Sequence, residues 1–299
     1  MWPTVRTGQY TGGLGATRDW WWGTMKRVII TADDFGMAVA VNEAVEIACR
    51  DGILTTASLM VGAGAAEDAV ERARRLPRLR VGLHVVLVDG RPLLPPDRLP
   101  ALVGDDGAFR RDLMAAGLRC FFVPGARRQM EQELRAQFSA FVATGLALDH
   151  VNAHNHFHLH PTVLGLILKV GREFGMGAVR LPREPGVAGP GGLALTPWTA
   201  LMRVRLRQAG IRCNDYLLGL SQTGVMTEPV VLALLEQAGR LPGRSVSELY
   251  FHPATRHCSE WTGTMPDYDH RGELQALISP RVRVALERRG VELIAFSDL

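Results

Sequence analysis

His154, His156, His158 and His160 stand at every second position and are closed by Pro161, a density of imidazole suited to metal binding or acid–base work. If this segment is extended, alternate side chains share a face, and that face offers several neutral nitrogen donors to a divalent ion such as zinc. A polar strand with solvated histidines is the simpler alternative for any one of them. The chain holds only nine histidines, however, and four of them are here. Further titratable residues follow apolar runs: Ala32-Asp33-Asp34-Phe35-Gly36, Gly82-Leu83-His84 and Phe251-His252-Pro253-Ala254. Adjacent carboxylates leaving a strand point in different directions, so one can ligate a metal while its neighbour takes the proton of an attacking water. The dipeptide also reads as a turn capping the next helix. His84 alone reads as a core histidine. Asp34, His84 and one histidine of the cluster together would make three ligands with a position left for water, the arrangement of a catalytic site.

Elements that could position these groups alternate along the chain. Strands are expected at Val28 to Thr31, Thr55 to Val61, Val81 to Leu87, Leu146 to Asn152, Ala178 to Leu181, Ser247 to Phe251 and Val291 to Ala295. Helices are expected at Val39 to Arg50, Ala65 to Arg75, Arg127 to Thr144, Pro161 to Phe174, Pro197 to about Gly210, Val230 to Gln237 and Gly272 to Arg289. Such βα repetition implies a parallel sheet. Chemistry at the ends of Asp33-Asp34, His84, His154 and His252 suggests an α/β chain folded as an irregular (β/α) TIM-like barrel, whose strand ends meet at one mouth. No glycine-rich nucleotide loop is present. Residues 26–299 would form this single domain, with 89–125, rich in proline and glycine, inserted over the mouth, and 1–25 as a poorly structured extension.

Composition narrows the classes. At 299 residues, 47% apolar and 21% charged, the chain can bury a sizeable core. A net charge of +4, with no basic run among aromatics, gives no reason to expect nucleic acid. Cys49, Cys120, Cys213 and Cys258 form no C-x-x-C pair, which points to a reducing, cytoplasmic setting. No run is long enough to span a membrane. From Pro197 to Ala209, Trp198, Leu201, Met202, Leu206 and Ala209 share an arc. That is the pattern of a helix packed on a barrel or, with its arginines, of one in peripheral contact with an inner-membrane surface.

With these residues in this order, the chain from about Lys26 onward resembles the YdjC-type (ChbG-like) carbohydrate deacetylases. The resemblance implies hydrolysis of the acetamide on an N-acetylated amino sugar, with one divalent ion: zinc first, magnesium, cobalt or nickel as alternatives. It implies Asp34, His84 and His154 as metal ligands, Asp33 as general base and His252 as general acid. His156 and His158 would line the substrate site. Arg180 would orient Asp33 or a sugar hydroxyl, unless it makes only a surface ion pair. The family often carries Asp where this chain has Asn152, a change that would leave an amide to orient His154. Asp149-His150-Val151-Asn152-Ala153-His154 and Arg180-Leu181-Pro182-Arg183-Glu184-Pro185 look most like the hopanoid-biosynthesis-associated branch (HpnK), which implies an N-acetylglucosaminyl-hopanoid glycolipid as substrate. The alternatives are a deacetylase of soluble chitooligosaccharides and a non-enzymatic metal-binding or membrane-surface module. Oligomeric state is left open.

Overall fold

The computed structural model describes residues 26–186, 190–257 and 265–299; the expected 1–25 extension and Cys258 lie outside the described residues. Seven strands make one parallel sheet: β1 (Arg27–Phe35), β2 (Thr56–Leu59), β3 (Arg80–Val85), β4 (Leu148–Ala153), β5 (Tyr216–Leu218), β6 (Val246–Phe251) and β7 (Glu292–Ile294). Their order is β4-β3-β2-β1-β6-β5. β7 pairs with β1 over Arg27 to Ile29, and β2 takes over from Thr31. Apart from Arg27, β1 is buried throughout, as expected of a central parallel strand covered on both faces.

The sheet is a half-barrel and not a fully closed barrel. Between β4 and β5 only isolated bridges, Val151 to Val179 and Ala178 to Arg212, span the gap. The strand expected at Ala178 to Leu181 shrinks to these bridges. Leu181 donates its N–H to the Asn214 side chain, and Pro182 has no N–H to offer. β5 was not foreseen from the sequence.

Helices α1 (Val39–Asp51), α2 (Ala66–Arg74), α3 (Leu113–Phe122), α4 (Pro124–Ala143), α5 (Pro161–Glu173), α6 (Pro190–Gln208), α7 (Glu228–Gly239), α8 (His270–Leu277) and α9 (Pro280–Arg288) complete the described chain. The helix expected from Gly272 to Arg289 is broken into α8 and α9. Ser279 accepts from the N–H groups of Arg281 and Val282 and Pro280 opens the new helix. Conversely, α6 runs through Pro197 instead of starting there. Its Trp198 donates to the Leu159 carbonyl, and Met202 and Leu206 are fully buried, so this helix packs on the domain. Leu201 on the same expected arc is half exposed.

One backbone position in the sheet depends on having no side chain. A Cβ on Gly82 of β3 would lie 2.4 Å from the His150 ring of β4, which itself is fully buried against Phe296. Gly82→Ala is therefore expected to cost about 1–3 kcal/mol through overpacking. A thermal melt followed by circular dichroism would show it, and an unchanged melting temperature would contradict this packing.

Candidate active site at the strand ends

Four strand ends converge. β1 delivers Asp33 and Asp34, β3 delivers His84, β4 runs into His154, and β6 runs into His252. The adjacency of two buried carboxylates is made possible by a register shift between Ala32 and Phe35, with Asp34 at φ 60°. A non-glycine residue in the left-handed region is uncommon, and aspartate tolerates it better than most. Asn42 holds the turn from below by accepting from the Gly36 N–H.

Asp34 Oδ1 lies 3.2 Å from His84 Nε2 and 3.2 Å from His154 Nδ1, and those two nitrogens are 3.4 Å apart. All three residues are buried, yet neither Asp34 oxygen has a hydrogen bond of acceptable geometry. The three ligand atoms thus form a close triangle in which the two histidine nitrogens are within a long hydrogen bond of each other and Asp34 has none. Ligands held tetrahedrally at roughly 2.0–2.1 Å from zinc would stand about 3.3–3.4 Å apart, so the triangle fits such an ion. A buried carboxylate with unused oxygens needs a cation to offset its desolvation. Burial would raise Asp34, but His154 and His84 beside it hold its carboxyl well below the usual range.

Asn152 supplies the orientation. Its Nδ2 donates to Asp33 Oδ1 at 2.9 Å and to Ser58 Oγ at 2.9 Å, which fixes the amide so that Oδ1 accepts from His84 Nδ1 at 2.7 Å. His84 then keeps its Nε2 lone pair for the metal point. The partner of Asn152 is thus His84, where the sequence suggested His154. Behind it, Ser58 Oγ is 3.0 Å from His150 Nε2, and His150 Nδ1 is 2.9 Å from Asp149 Oδ2. The result is a continuous buried chain from Asp149 to the site.

Asp33 is clamped from the opposite side. Arg180, fully buried, donates to both Asp33 oxygens and also to Glu248 Oε1 at 2.6 and 2.9 Å. Burial alone would raise Asp33, but the Arg180 guanidinium and neighbouring His84 hold its carboxyl far below the usual carboxylate range. Arg180, expected among the substrate-binding residues, sits behind the carboxylate with no exposed surface.

The histidine run is not extended. β4 ends at Ala153, and His154–Leu159 form a tight helical turn with Asn155 and His156 at φ 53° and 51°. The alternation expected of a strand is therefore lost, because the chain must turn into α5 at Pro161. His158 Nε2 donates to the Arg180 carbonyl, and burial with nearby Arg180 lowers its pKa to about 3. His156 lies edge-on to Tyr250, and burial and Arg180 keep it neutral. His160 leaves the site: its Nδ1 accepts from Thr162 N–H and caps α5.

The His252 ring lies edge-on to Tyr250 and Tyr268. Burial lowers its pKa, partly offset by Asp34 and Asp33. Its backbone is held by Glu273, a residue not foreseen, whose carboxylate accepts from the N–H groups of His252 and Met226. Burial pushes Glu273 up to about 7. The available signal was a lone acid on the apolar face of α8, beside Leu274 and Leu277. Tyr250 was also missed; its ring covers the Arg180 guanidinium at 5.2 Å.

A cleft of about 370 Å³ is lined by Met37, Met60, Val86, Asp89, Leu93 and Phe109 among others, and touches none of Asp33, Asp34, His84, His154 and His252 itself. Half of its lining comes from residues between Asp89 and Arg111.

A family profile described as "YdjC-like protein" matches residues 27–288. The carbohydrate deacetylase of Geobacillus stearothermophilus is 30% identical over 90% of this chain and 96% of its own length. The carbohydrate deacetylase of Homo sapiens is 33% identical over 91% of each chain. A crystal structure from Enterococcus faecalis V583, provisionally described as a cellobiose-phosphate cleavage protein, has a TM-score of 0.75 at 24% identity, covering 92% of this chain and 99% of that one. This last likeness speaks for the fold.

Proposed function

Because the chain belongs to the YdjC-like family, we propose that it is a carbohydrate deacetylase, hydrolysing the acetamide of an N-acetylated amino sugar to the amine and acetate. The observation that carries this reading is the convergence of Asp34, His84 and His154 on one point beside a clamped, ionised Asp33. Asp34, His84 and His154 would hold a divalent ion, zinc first by ligand type, with cobalt, nickel or magnesium as alternatives. When bound, such an ion supplies Lewis-acid polarisation of the acetyl carbonyl and makes a water more acidic.

The protein's own groups divide the remaining work. Asp33 accepts the proton of the attacking water; its clamp fixes direction, and with Oδ1 taken by Asn152 and Arg180, Oδ2, which accepts from Arg180 alone, keeps a lone pair for that proton. An amine leaves poorly unless protonated, and His252 is the titratable group at the end of β6, the strand paired with β1 beside Asp33. His156, half-buried, would border the substrate, whereas His158, expected to do the same, has no exposed surface and braces the Arg180 backbone from behind; Arg180 with Asn152 holds Asp33 in place.

His252→Ala should slow acetamide cleavage far more than cleavage of an activated ester, whose leaving group needs little protonation. Equal losses on both substrates would remove the general-acid role.

The substrate reading we favour is a lipid-linked sugar, N-acetylglucosaminyl-hopanoid, handled by a cytoplasmic protein in peripheral contact with the inner membrane. Support comes from the apolar part of the cleft, Met37, Met60, Val86, Leu93 and Phe109, set beside Asp89, Arg91, Asp106, Arg111 and Gln137, which would suit a sugar carried on an apolar anchor. No described helix is long and apolar enough to cross a membrane. Mass spectrometry of products from that glycolipid and from N,N′-diacetylchitobiose, at matched metal, tests the choice. Clear preference for the disaccharide would overturn the lipid reading and leave deacetylation standing.

A further inference from the structure

Helix α3, within the 89–125 insertion, wears its amphipathic pattern inside out. Gly117 and Cys120 face inward, while Met114, Leu118, Phe121 and Phe122 are 75, 53, 58 and 76% exposed. Their spacing of four, seven and eight residues places them in one stripe. Scattered exposed apolar residues are ordinary; a continuous stripe with two phenylalanines marks an interaction surface.

Charge identifies what it meets. Arg110 and Arg111 precede the helix, Arg127 and Arg128 follow in the first turns of α4, and all four are exposed. Arg111 shares Asp89 at 3.4 Å, and Asp112 is engaged as the helix cap, accepting from Met114 and Ala115. The stripe is therefore flanked by cations at both ends. The Phe121 ring lies 4.4 Å from that of His160, the cap of α5, and Arg111 just ahead of α3 lines the cleft, so the stripe lies on the segment that walls the cleft.

We propose that this face docks on an anionic lipid bilayer, with Met114, Leu118, Phe121 and Phe122 entering the acyl boundary and the arginines meeting lipid phosphates. A second copy of the chain fits less well, because two-fold pairing of the stripe would set the same arginines against themselves. The inference takes its purpose from the lipid-linked substrate reading: docking would present the cleft beneath the insertion to a sugar headgroup at the membrane surface.

The test is sedimentation of the full chain with vesicles of phosphatidylcholine alone or mixed with equal parts of phosphatidylglycerol. The anionic vesicles should bind at least about tenfold more tightly. The Leu118→Glu/Phe122→Glu double variant should lose binding to both, and Arg127→Glu/Arg128→Glu should lose the anionic preference. Wild-type protein left in the supernatant, a double variant that still sediments, or a wild-type dimer that the double variant dissolves would each overturn the proposal. Acetate release from N,N′-diacetylchitobiose is followed in parallel and should be unchanged in the double variant, since none of these residues belongs to the site. Vesicle binding without acetate release from any substrate would leave docking standing and remove the deacetylase reading; acetate release without vesicle binding would do the reverse.

Discussion

Asp33→Asn is expected to lower the rate of acetate release by about 10²–10⁴-fold, the usual contribution of a general base, while the protein keeps its metal. The amide is close to isosteric, and Asp33 is not one of the three groups facing the metal point. What it loses is the charge that Arg180 keeps fully ionised and the lone pairs that take the water proton. Metal content measured beside the rate separates this from a collapsed site. A fully active variant would remove the mechanism.

Arg180→Met is expected to be the most destabilising single change near the site, by about 3–5 kcal/mol, because it strands two buried carboxylates, Asp33 and Glu248, without their shared cation. In a domain of this size the melting temperature should fall by on the order of 10 °C. The pH dependence follows from the sign of the shifts. In the native protein the Asp33 pKa is lowered, so its stabilising contribution is present above the unfolded value, about 3.9, and is lost as pH falls toward the folded one. Without Arg180, burial raises the Asp33 carboxyl, and the folded variant then takes up a proton there more readily than the unfolded chain. Its deficit relative to wild type should shrink between pH 7 and pH 5. A deficit that stays constant across that range would show that Arg180 acts by packing alone.

How far the sequence reached depended on whether local pattern or tertiary contact fixes each feature. The strand ends carrying Asp33, Asp34, His84, His154 and His252 were legible because each sits where an apolar run meets a titratable residue, and parallel strands bring such ends to one side. The histidine run misled: period-two spacing suggested a strand, but Pro161 starts α5, and the chain needs left-handed turns at Asn155 and His156 to reach it. The incomplete barrel was also hidden, since the loss of ladder near Arg180 depends on Asn214, more than thirty residues away. The chain of contacts from Asp149 through His150, Ser58 and Asn152 joins β2, β4 and β3, and Glu273 reaches His252 from α8. No local signal encodes such partners. Residues 89–125 read as irregular because of their prolines and glycines, so α3 within them and its outward apolar face were not foreseen.

The most direct test strips the protein with a chelator, restores zinc stepwise, and measures bound metal and acetate released from an N-acetylated amino sugar on the same samples. Stripped protein should release no acetate, activity should rise with bound zinc and level off at one ion per chain, and neither binding nor activity should return in His84→Ala or His154→Ala. Acetate release at the full rate from stripped protein, or from either histidine variant, would contradict the assignment of Asp34, His84 and His154 as the metal centre of a deacetylase.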